Sequence, residues 1–456
     1  MATPNLNIPF VPLGQPFDAD HPPDKALIDT CVHCGFCLST CPSYRVIGKE
    51  TDSPRGRIYL MNEIEAGRAA LSEATVQHFD SCLGCLACVT TCPSGVEYDQ
   101  LIAALRPQIE RNYPRNWAET ALRQLIFAIF PYPQRLRLLL RPLLLYQRLG
   151  IERWVRRQPL FQQLLPKAIT AMESVLPPLS AAGFRDVWPD VVPAQGPKRY
   201  RVGMILGCVQ RVFLPDVNEA TVRVLTANGC EVVIPKEQGC CAALSHHQGQ
   251  EEQAKTLARA MIDQFAATEV DAVLINASGC GHTMKEYGRL LQDDPVYGDR
   301  AVAFAAKVRD VQEFLDEVGL TTPLSPLRSD GPLTLAYQDA CHMLHGQKIQ
   351  QQPRRLLQKI PNVQLRESID AALCCGSAGI YNILQPEVAD ELGRQKVQNL
   401  TQTQAQVIVS ANVGCTLQLR KHLNLQQQTV PVFHPMQLLD YAMRGELLPS
   451  THSGDS

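Results

Sequence analysis

The sequence predicts an α + α/β chain in which a helical, cysteine-bearing domain precedes a duplicated α/β cysteine-rich domain. Three observations support this. Eight of the 17 cysteines lie between Cys31 and Cys92, none between Cys92 and Cys208, and nine from Cys208 to Cys415. The residues joining the two halves of the first group, Asp52 to His78, are patterned as helix with little strand character. In the second group the short apolar runs RVGMIL, DAVLIN, LTLAY and QVIVS each stop just ahead of a cysteine. They alternate with helical stretches at Asn218–Ala227, Glu251–Ala267 and Val388–Leu400, the pattern of parallel α/β units.

Composition narrows the function classes. A chain of 456 residues is long enough for several compact units, each with its own core. Lys and Arg (43) nearly balance Asp and Glu (45), so there is no global positive field for a nucleic-acid backbone and no nucleic-acid partner is expected. Hydrophobic residues at 45% and charged residues at 19% make the chain too apolar for disorder. No uncharged apolar run reaches the roughly 18 residues that a spanning helix needs. The opening MATPNLNIPFVPLGQPFD has neither a basic start nor an apolar core, so a cytoplasmic location is expected. An odd number of cysteines in a reducing compartment, at tight regular spacings, reads as metal ligation rather than a disulfide framework.

The first element is a pair of matching runs. CVHCGFCLSTCP, Cys31 to Pro42, recurs 51 residues later as CLGCLACVTTCP, Cys82 to Pro93. Each is C-x2-C-x2-C-x3-C-P, the ligand run of bacterial ferredoxins, so the domain reads as helical and ferredoxin-like. Three thiolates spaced by two residues on a tight turn can wrap three corners of a cubane, and the fourth reaches the other cluster. Cys31, Cys34, Cys37 and Cys92 are then expected to hold one [4Fe–4S] cluster, and Cys82, Cys85, Cys88 and Cys41 the second. Gly35 and Gly84 permit close backbone approach, and Pro42 and Pro93 are read as helix stops. Structural zinc on two well-separated C-x2-C pairs is the competing reading, and such tight runs fit it badly. A pair of clusters is a wire, so no catalytic residue is expected in this chain.

The second element is a longer duplication. Cys208 is followed after 31 residues by Cys240-Cys241 and after 38 more by Cys280. Cys341 is followed after 32 by Cys374-Cys375 and after 39 more by Cys415. Cysteines just past parallel strands converge at the carboxyl edge of a sheet, where ligands of open α/β folds bind. Adjacent cysteines suit a metal assembly or a redox-active pair, against the plain alternative of small buried hydrophobes. Cys230 has no counterpart and reads as a core cysteine on a strand. His282, His342, His345 and His246-His247 lie near these thiols, where a packed or capping histidine is the commoner outcome than a ligand.

Between the two elements, Leu122 to Arg157 carries eight arginines with Glu152 as its only acid, and is otherwise dominated by Leu, Ile and Phe. That is the composition of an interfacial amphipathic segment, broken by Pro131, Pro133 and Pro142 into pieces too short to span a bilayer. The preferred reading is a helical hairpin packed on protein, with peripheral contact at the inner face of the membrane as the alternative. The expected organisation is a two-cluster domain over 1–115 and an Arg-rich connector over 116–199. Cysteine-rich repeats follow over 200–325 and 326–445, with a flexible tail over 446–456.

These residues resemble one family. SPRGRIYLM at Ser53–Met61, CPSGV at Cys92–Val96, LGC at Leu206–Cys208, ASGCG at Ala277–Gly281, CCGSAG at Cys374–Gly379 and ANVGC at Ala411–Cys415 are similar to the iron–sulfur subunits of glycolate oxidase (glycolate dehydrogenase). The likeness runs from about Ile28 to Met443 and extends more loosely to the cysteine-rich subunits of anaerobic glycerol-3-phosphate dehydrogenase and heterodisulfide reductase. It implies an electron-transfer subunit without activity of its own, serving a partner flavoprotein that carries FAD and oxidises glycolate to glyoxylate. Electrons would pass to a quinone or similar acceptor.

The likeness also has departures. Cys280 and Cys415 stand where the broader family often has C-x-x-C, and Ala242 replaces the glycine of CCG in the first repeat. A further iron–sulfur cluster is therefore expected at Cys341, Cys374, Cys375 and Cys415 ahead of Cys208, Cys240, Cys241 and Cys280. The residues leave alternatives open: service to D-lactate or glycerol 3-phosphate oxidation, a disulfide reductase of the heterodisulfide type, or a zinc-bearing scaffold. No strand-led G-x-G-x-x-G is present that would place a flavin in this chain.

Overall fold

The computed structural model describes residues 17–149 and 179–449, and the chain divides into two compact units, Met1–Asn116 and Trp117–Ser456. The end of the arginine-rich segment from Glu152 to Arg157, much of the connector and the last residues of the tail lie outside the described residues.

The described part of the first unit is helical: α1 (Lys25–Asp29), α2 (Pro42–Ile47), α3 (Pro54–Glu65), α4 (Glu73–Asp80), α5 (Ala87–Thr91) and α6 (Tyr98–Asn112), with a 3-10 turn at Glu50–Asp52. Helix starts follow local chemistry. Ser53 Oγ accepts from the Gly56 N–H at 3.0 Å with Pro54 at the first helical position, and Ser72 and Thr75 form a capping box for α4. Leu101, Leu105 and Ile109 stand four residues apart on α6 and bury against Met61, Ile64 and Phe79. Pro42 departs from its reading as a stop: it opens α2, where the missing N–H costs nothing, and Cys41 is the residue before it.

In the second unit, α7 (Trp117–Ile129) and α8 (Pro133–Arg148) precede two sheets. The first sheet has order β1-β3-β2-β4-β5, with β1 (Val191–Val192), β2 (Tyr200–Ile205), β3 (Cys230–Val233), β4 (Ala272–Ile275) and β5 (Val308–Asp310); only β1 runs antiparallel. The second is parallel throughout, β7-β6-β8-β9, with β6 (Leu333–Gln338), β7 (Val363–Arg366), β8 (Val407–Ser410) and β9 (Val432–Phe433). Without β1 the two orders are identical. The duplication in cysteine spacing is thus a duplication of topology.

The repeats interlock. The first long helix of repeat 1, α9 (Pro215–Ala227), packs on the last helix of repeat 2, α13 (Pro435–Arg444). The last helix of repeat 1, α11 (Val311–Val318), packs on the first helix of repeat 2, α12 (Gln351–Gln358). Each seam carries one ion pair. Arg223 donates to both carboxylate oxygens of Asp440, at 2.8 and 2.9 Å, and Arg355 pairs with Asp316. The four helices share one core with the facing sides of both sheets, in which Val202, Met204, Leu335 and Val409 are buried. The opposite face of the first sheet, including Ile205 and Val273, is covered by α10 (Glu251–Ala266).

Candidate metal centres

In the first unit the eight thiols fall into two sets of different exposure. Cys41, Cys82, Cys85 and Cys88 are buried, whereas Cys31, Cys37 and Cys92 are half-buried and Cys34 is exposed. A small pocket is lined by Cys82, Cys85, Cys88 and Cys41 together, with Arg57 and Tyr98 in its wall. Cys41, distant in sequence, therefore joins the run of the second repeat. Burial and then the neighbouring thiols of Cys85, Cys82 and Cys41 push the Cys88 thiol far up, while Cys31 is raised by burial and by Cys92 and Cys34. A group of sulfurs that would repel one another as bare thiolates is the donor set a multi-iron cation cluster needs.

Two glycines let an arginine close on each cysteine run. Gly35 and Gly84 both have left-handed φ, +87° and +63°, and a β-carbon on Gly35 would lie 2.7 Å from Arg55 Nη1. Arg55 donates to the carbonyl of His33 at 2.9 Å, and Arg106 donates to that of Cys82 at 2.7 Å. Sequence reasoning missed both arginines, yet they are 51 residues apart, the offset of the cysteine runs, and that shared offset could have found them.

Arg57 has no such marker. Its buried guanidinium donates to Ser43 Oγ at 2.9 Å, Ser81 Oγ at 2.8 Å and the His78 carbonyl at 2.6 Å, and lies 3.9 Å from Asp52. Burial works against its charge, but Cys82, Tyr98, Cys41 and Asp52 outweigh it and hold the pKa well above the ordinary arginine value. The Cys82 thiol responds in kind. Burial raises it, yet Arg57, Arg106, the Gly84 N–H at 3.4 Å and the Tyr98 hydroxyl at 3.7 Å bring it below the usual thiol range.

In the second unit the thiols follow the ends of β2, β3 and β4 and of β6, β7 and β8, and four gather in each repeat. Cys208 lies 3.2 Å from Cys240, which hydrogen-bonds Cys241, which in turn reaches Cys280. Cys375 lies 3.1 Å from Cys415 and hydrogen-bonds Cys374, which reaches Cys341. Both repeats assemble their thiols in the same way, although Ala242 in the first stands at φ +66° where Gly376 in the second stands at +86°. Around the second set, Arg354 grips Asp339 through two hydrogen bonds of 2.9 Å just ahead of Cys341, and Asn412 Nδ2 donates to Cys415 Sγ at 3.5 Å. Cys230 is buried on β3 among apolar side chains, its thiol pushed up to about 11 by burial.

The histidines do not scatter. The ring of His342 lies 4.6 Å from that of His247 and 4.9 Å from that of His282. His282 and His342 follow Cys280 and Cys341, the half-buried member of each thiol set. Burial, then the neighbouring His342 and His246, push His282 down to about 3, so its imidazole is neutral. His345 hydrogen-bonds the backbone of Ala372.

Two sets of four thiols in a helical unit, followed by two α/β repeats that each collect four more, define a multi-centre iron–sulfur electron carrier. Comparison with known proteins agrees with this over four stretches of the chain. Residues 27–96 match the 4Fe-4S dicluster domain, residues 202–285 and 335–420 the cysteine-rich domain, and residues 118–176 the linker region of the glycolate oxidase iron-sulfur subunit.

The chain is 38% identical over 399 residues to the probable glycolate oxidase iron-sulfur subunit of Bacillus subtilis, covering 87% of this chain and 89% of that one. It is 35% identical over 430 residues to the glycolate oxidase iron-sulfur subunit of Escherichia coli, covering 92% and 95%. A lactate utilization protein A of Exiguobacterium is 28% identical over 243 residues, 53% of this chain. The chain belongs to the family of glycolate oxidase iron–sulfur subunits.

Proposed function

We propose that this chain is the electron-transfer subunit of a glycolate-oxidising complex. A flavoprotein partner removes two electrons and two protons from glycolate to form glyoxylate, and this chain carries the electrons one at a time toward a quinone. The observation that supports this best is the likeness to glycolate oxidase iron–sulfur subunits through both the cysteine domains and the linker between them. The lactate utilization relatives align with only about half of the chain, which favours glycolate over lactate as the partner's substrate.

Bound [4Fe–4S] clusters supply one-electron carriers that need no substrate site in this chain. Cys31, Cys34, Cys37 and Cys92 would hold one, and Cys82, Cys85, Cys88 and Cys41 the other. The exposure of Cys34 suits the first as the point of electron entry or exit, and the buried second set suits a relay. Arg57, Arg55 and Arg106 bring positive charge to these sets and favour the reduced state. Cys341, Cys374, Cys375 and Cys415 are assigned to a further cluster, and the like assembly of Cys208, Cys240, Cys241 and Cys280 makes the first repeat its equal candidate.

The test is anaerobic co-purification from native cells, followed by dye and quinone reduction with glycolate, D-lactate and glycerol 3-phosphate. A co-purifying flavoprotein and fastest reduction with glycolate are expected. A chain that comes without a flavoprotein and itself reduces disulfides would replace this function with a reductase.

A further inference from the structure

The helical hairpin α7–α8 at the start of the second unit is apolar on its outward side as well as on the side it buries. Seven of the 17 large hydrophobic side chains exposed among the described residues fall between Trp117 and Leu149. On α7, Trp117 and Leu125 point outward with Ala118, Ala121 and Ala128, and Gln124 is the only polar residue among those exposed there. On α8, Leu138, Leu145 and Leu149 form a stripe at helical spacing, each more than half exposed. The inward sides are already satisfied: Ile126 and Phe127 pack with Ile380, and Leu136 and Leu140 with Val212. The outward apolar surface is thus surplus to folding.

The charges on the hairpin select what meets that surface. Among residues 117–149 there are five arginines and one acid, Glu119, which pairs with Arg123. Arg137 turns inward to Asp186 at 2.7 Å. Arg135, Arg141 and Arg148 are exposed along the leucine stripe, and among the described residues Arg141 and Arg148 have no carboxylate partner. An apolar stripe edged by exposed guanidinium groups complements an anionic lipid surface, with leucine in the acyl boundary and arginine at the phosphates. No helix among the described residues is long and apolar enough to cross a membrane.

We propose that α7 and α8 dock this chain flat on an anionic phospholipid surface, with Leu138, Leu145 and Leu149 inserted and Arg141 and Arg148 on lipid phosphates. The proposal deepens the reading above, since a lipid-soluble acceptor is met at that surface. Its test uses vesicles that contain no quinone, so the two readings fail separately.

The anaerobically purified full chain is floated with vesicles of phosphatidylcholine alone and with equimolar phosphatidylcholine and phosphatidylglycerol. It is expected to rise with the anionic vesicles only, and less so at high salt. Arg141→Gln and Arg148→Gln should each weaken partitioning about five-fold, the equivalent of about 1 kcal/mol per surface charge. Leu138→Glu with Leu145→Glu should abolish it. All four positions are exposed, so unchanged iron content and unfolding temperature confirm an intact chain. Absence of binding to anionic vesicles, equal binding to neutral ones, or full binding by the variants each overturns the proposal. Loss of the flavoprotein in place of lipid binding assigns the surface to the protein partner and overturns it equally.

Discussion

Asp310 and His434 hold the same place in the two repeats. Each ends the last strand segment of its repeat, caps the helix that follows, and is buried. Asp310 Oδ1 accepts from the Gln312 N–H at 2.8 Å, and His434 Nδ1 accepts from the Met436 N–H at 3.1 Å while Nε2–H donates to the Asn276 carbonyl at 2.9 Å. Burial disfavours charge on both, so it drives them in opposite directions: the carboxyl is pushed up to about 7 and the imidazole down to about 3.

Opposite shifts make opposite pH dependences. The folded value of His434 lies below the unfolded one, so its contribution is whole above about pH 6.5 and is lost as pH falls toward 3. The folded value of Asp310 lies above the unfolded one, so its contribution is whole below about pH 4 and is lost as pH rises toward 7. Each slope is about 1.4 kcal/mol per pH unit, and between about pH 4 and 6.5 they cancel. His434→Gln should therefore uncover a loss of stability with rising pH, and Asp310→Asn a loss with falling pH. Denaturant midpoints across pH 4 to pH 8 give the variant-minus-native curves. Curves parallel to the native one would remove both groups from the account.

Among the described residues Arg57 is the only guanidinium that is fully buried beside the second thiol set, and it is tied to Asp52, Ser43 and Ser81 at once. Arg57→Met should cost about 1–3 kcal/mol, because the His78 carbonyl loses its buried donor, while Asp52 keeps Ser81 Oγ at 2.6 Å and His78 Nδ1 at 3.0 Å. It should also move one cluster signal to more negative potential, since a positive charge that favours the reduced state is gone. Arg57→Lys retains the charge and should keep most of the potential while losing stability. A redox titration followed by EPR checks this, and an unmoved potential in Arg57→Met would separate the charge from the cluster.

The two thiol sets of the first unit should behave as independent sites in series. Cys37→Ala is expected to remove iron from the exposed set and Cys88→Ala from the buried one, each leaving about half of the first unit's iron. In the assembled complex either change should stop acceptor reduction while glycolate still bleaches the partner's flavin in stopped-flow traces. Unimpaired electron delivery to quinone in either variant would mean that the path bypasses that set.

These sites were legible because their signals are local and repeated. C-x2-C-x2-C-x3-C-P stands in one short run, and the strands ahead of Cys208, Cys280, Cys341 and Cys415 are apolar enough to read alone. The edge strands β1, β5 and β9, of two or three residues, are too short to carry a pattern. The interlock of α9 with α13 and of α11 with α12 joins helices far apart in sequence, and the equivalence of Asp310 with His434 hides behind unlike residue types. Pro42 was read through its missing N–H as a stop, but the same property suits the first turn of α2. Arg57 looked like any charged residue on a helix until Asp52, Ser43 and Ser81 surrounded it.

The two adjacent-cysteine turns allow one more test, because the repeats solve the same turn with different residues. Gly376 follows Cys375 at φ +86°, and a β-carbon there would lie 2.5 Å from the Ala389 carbonyl oxygen. Ala242 follows Cys241 at φ +66° and already carries its β-carbon, fully buried. For Ala242→Gly, relief of left-handed strain, about 1–2 kcal/mol, is offset by about 0.5–1 kcal/mol of backbone entropy and about 0.8 kcal/mol of lost methyl burial. That exchange should stay within about 1 kcal/mol. Gly376→Ala adds the same left-handed strain to an overpacking penalty of about 1–3 kcal/mol, for a loss of about 2–5 kcal/mol. Denaturant unfolding of the two anaerobic variants decides it. Equal losses would show that the second turn has slack its contacts do not reveal, whereas the expected asymmetry means that Cys374 and Cys375 are held in place by a glycine whose neighbour is backbone and has nowhere to go.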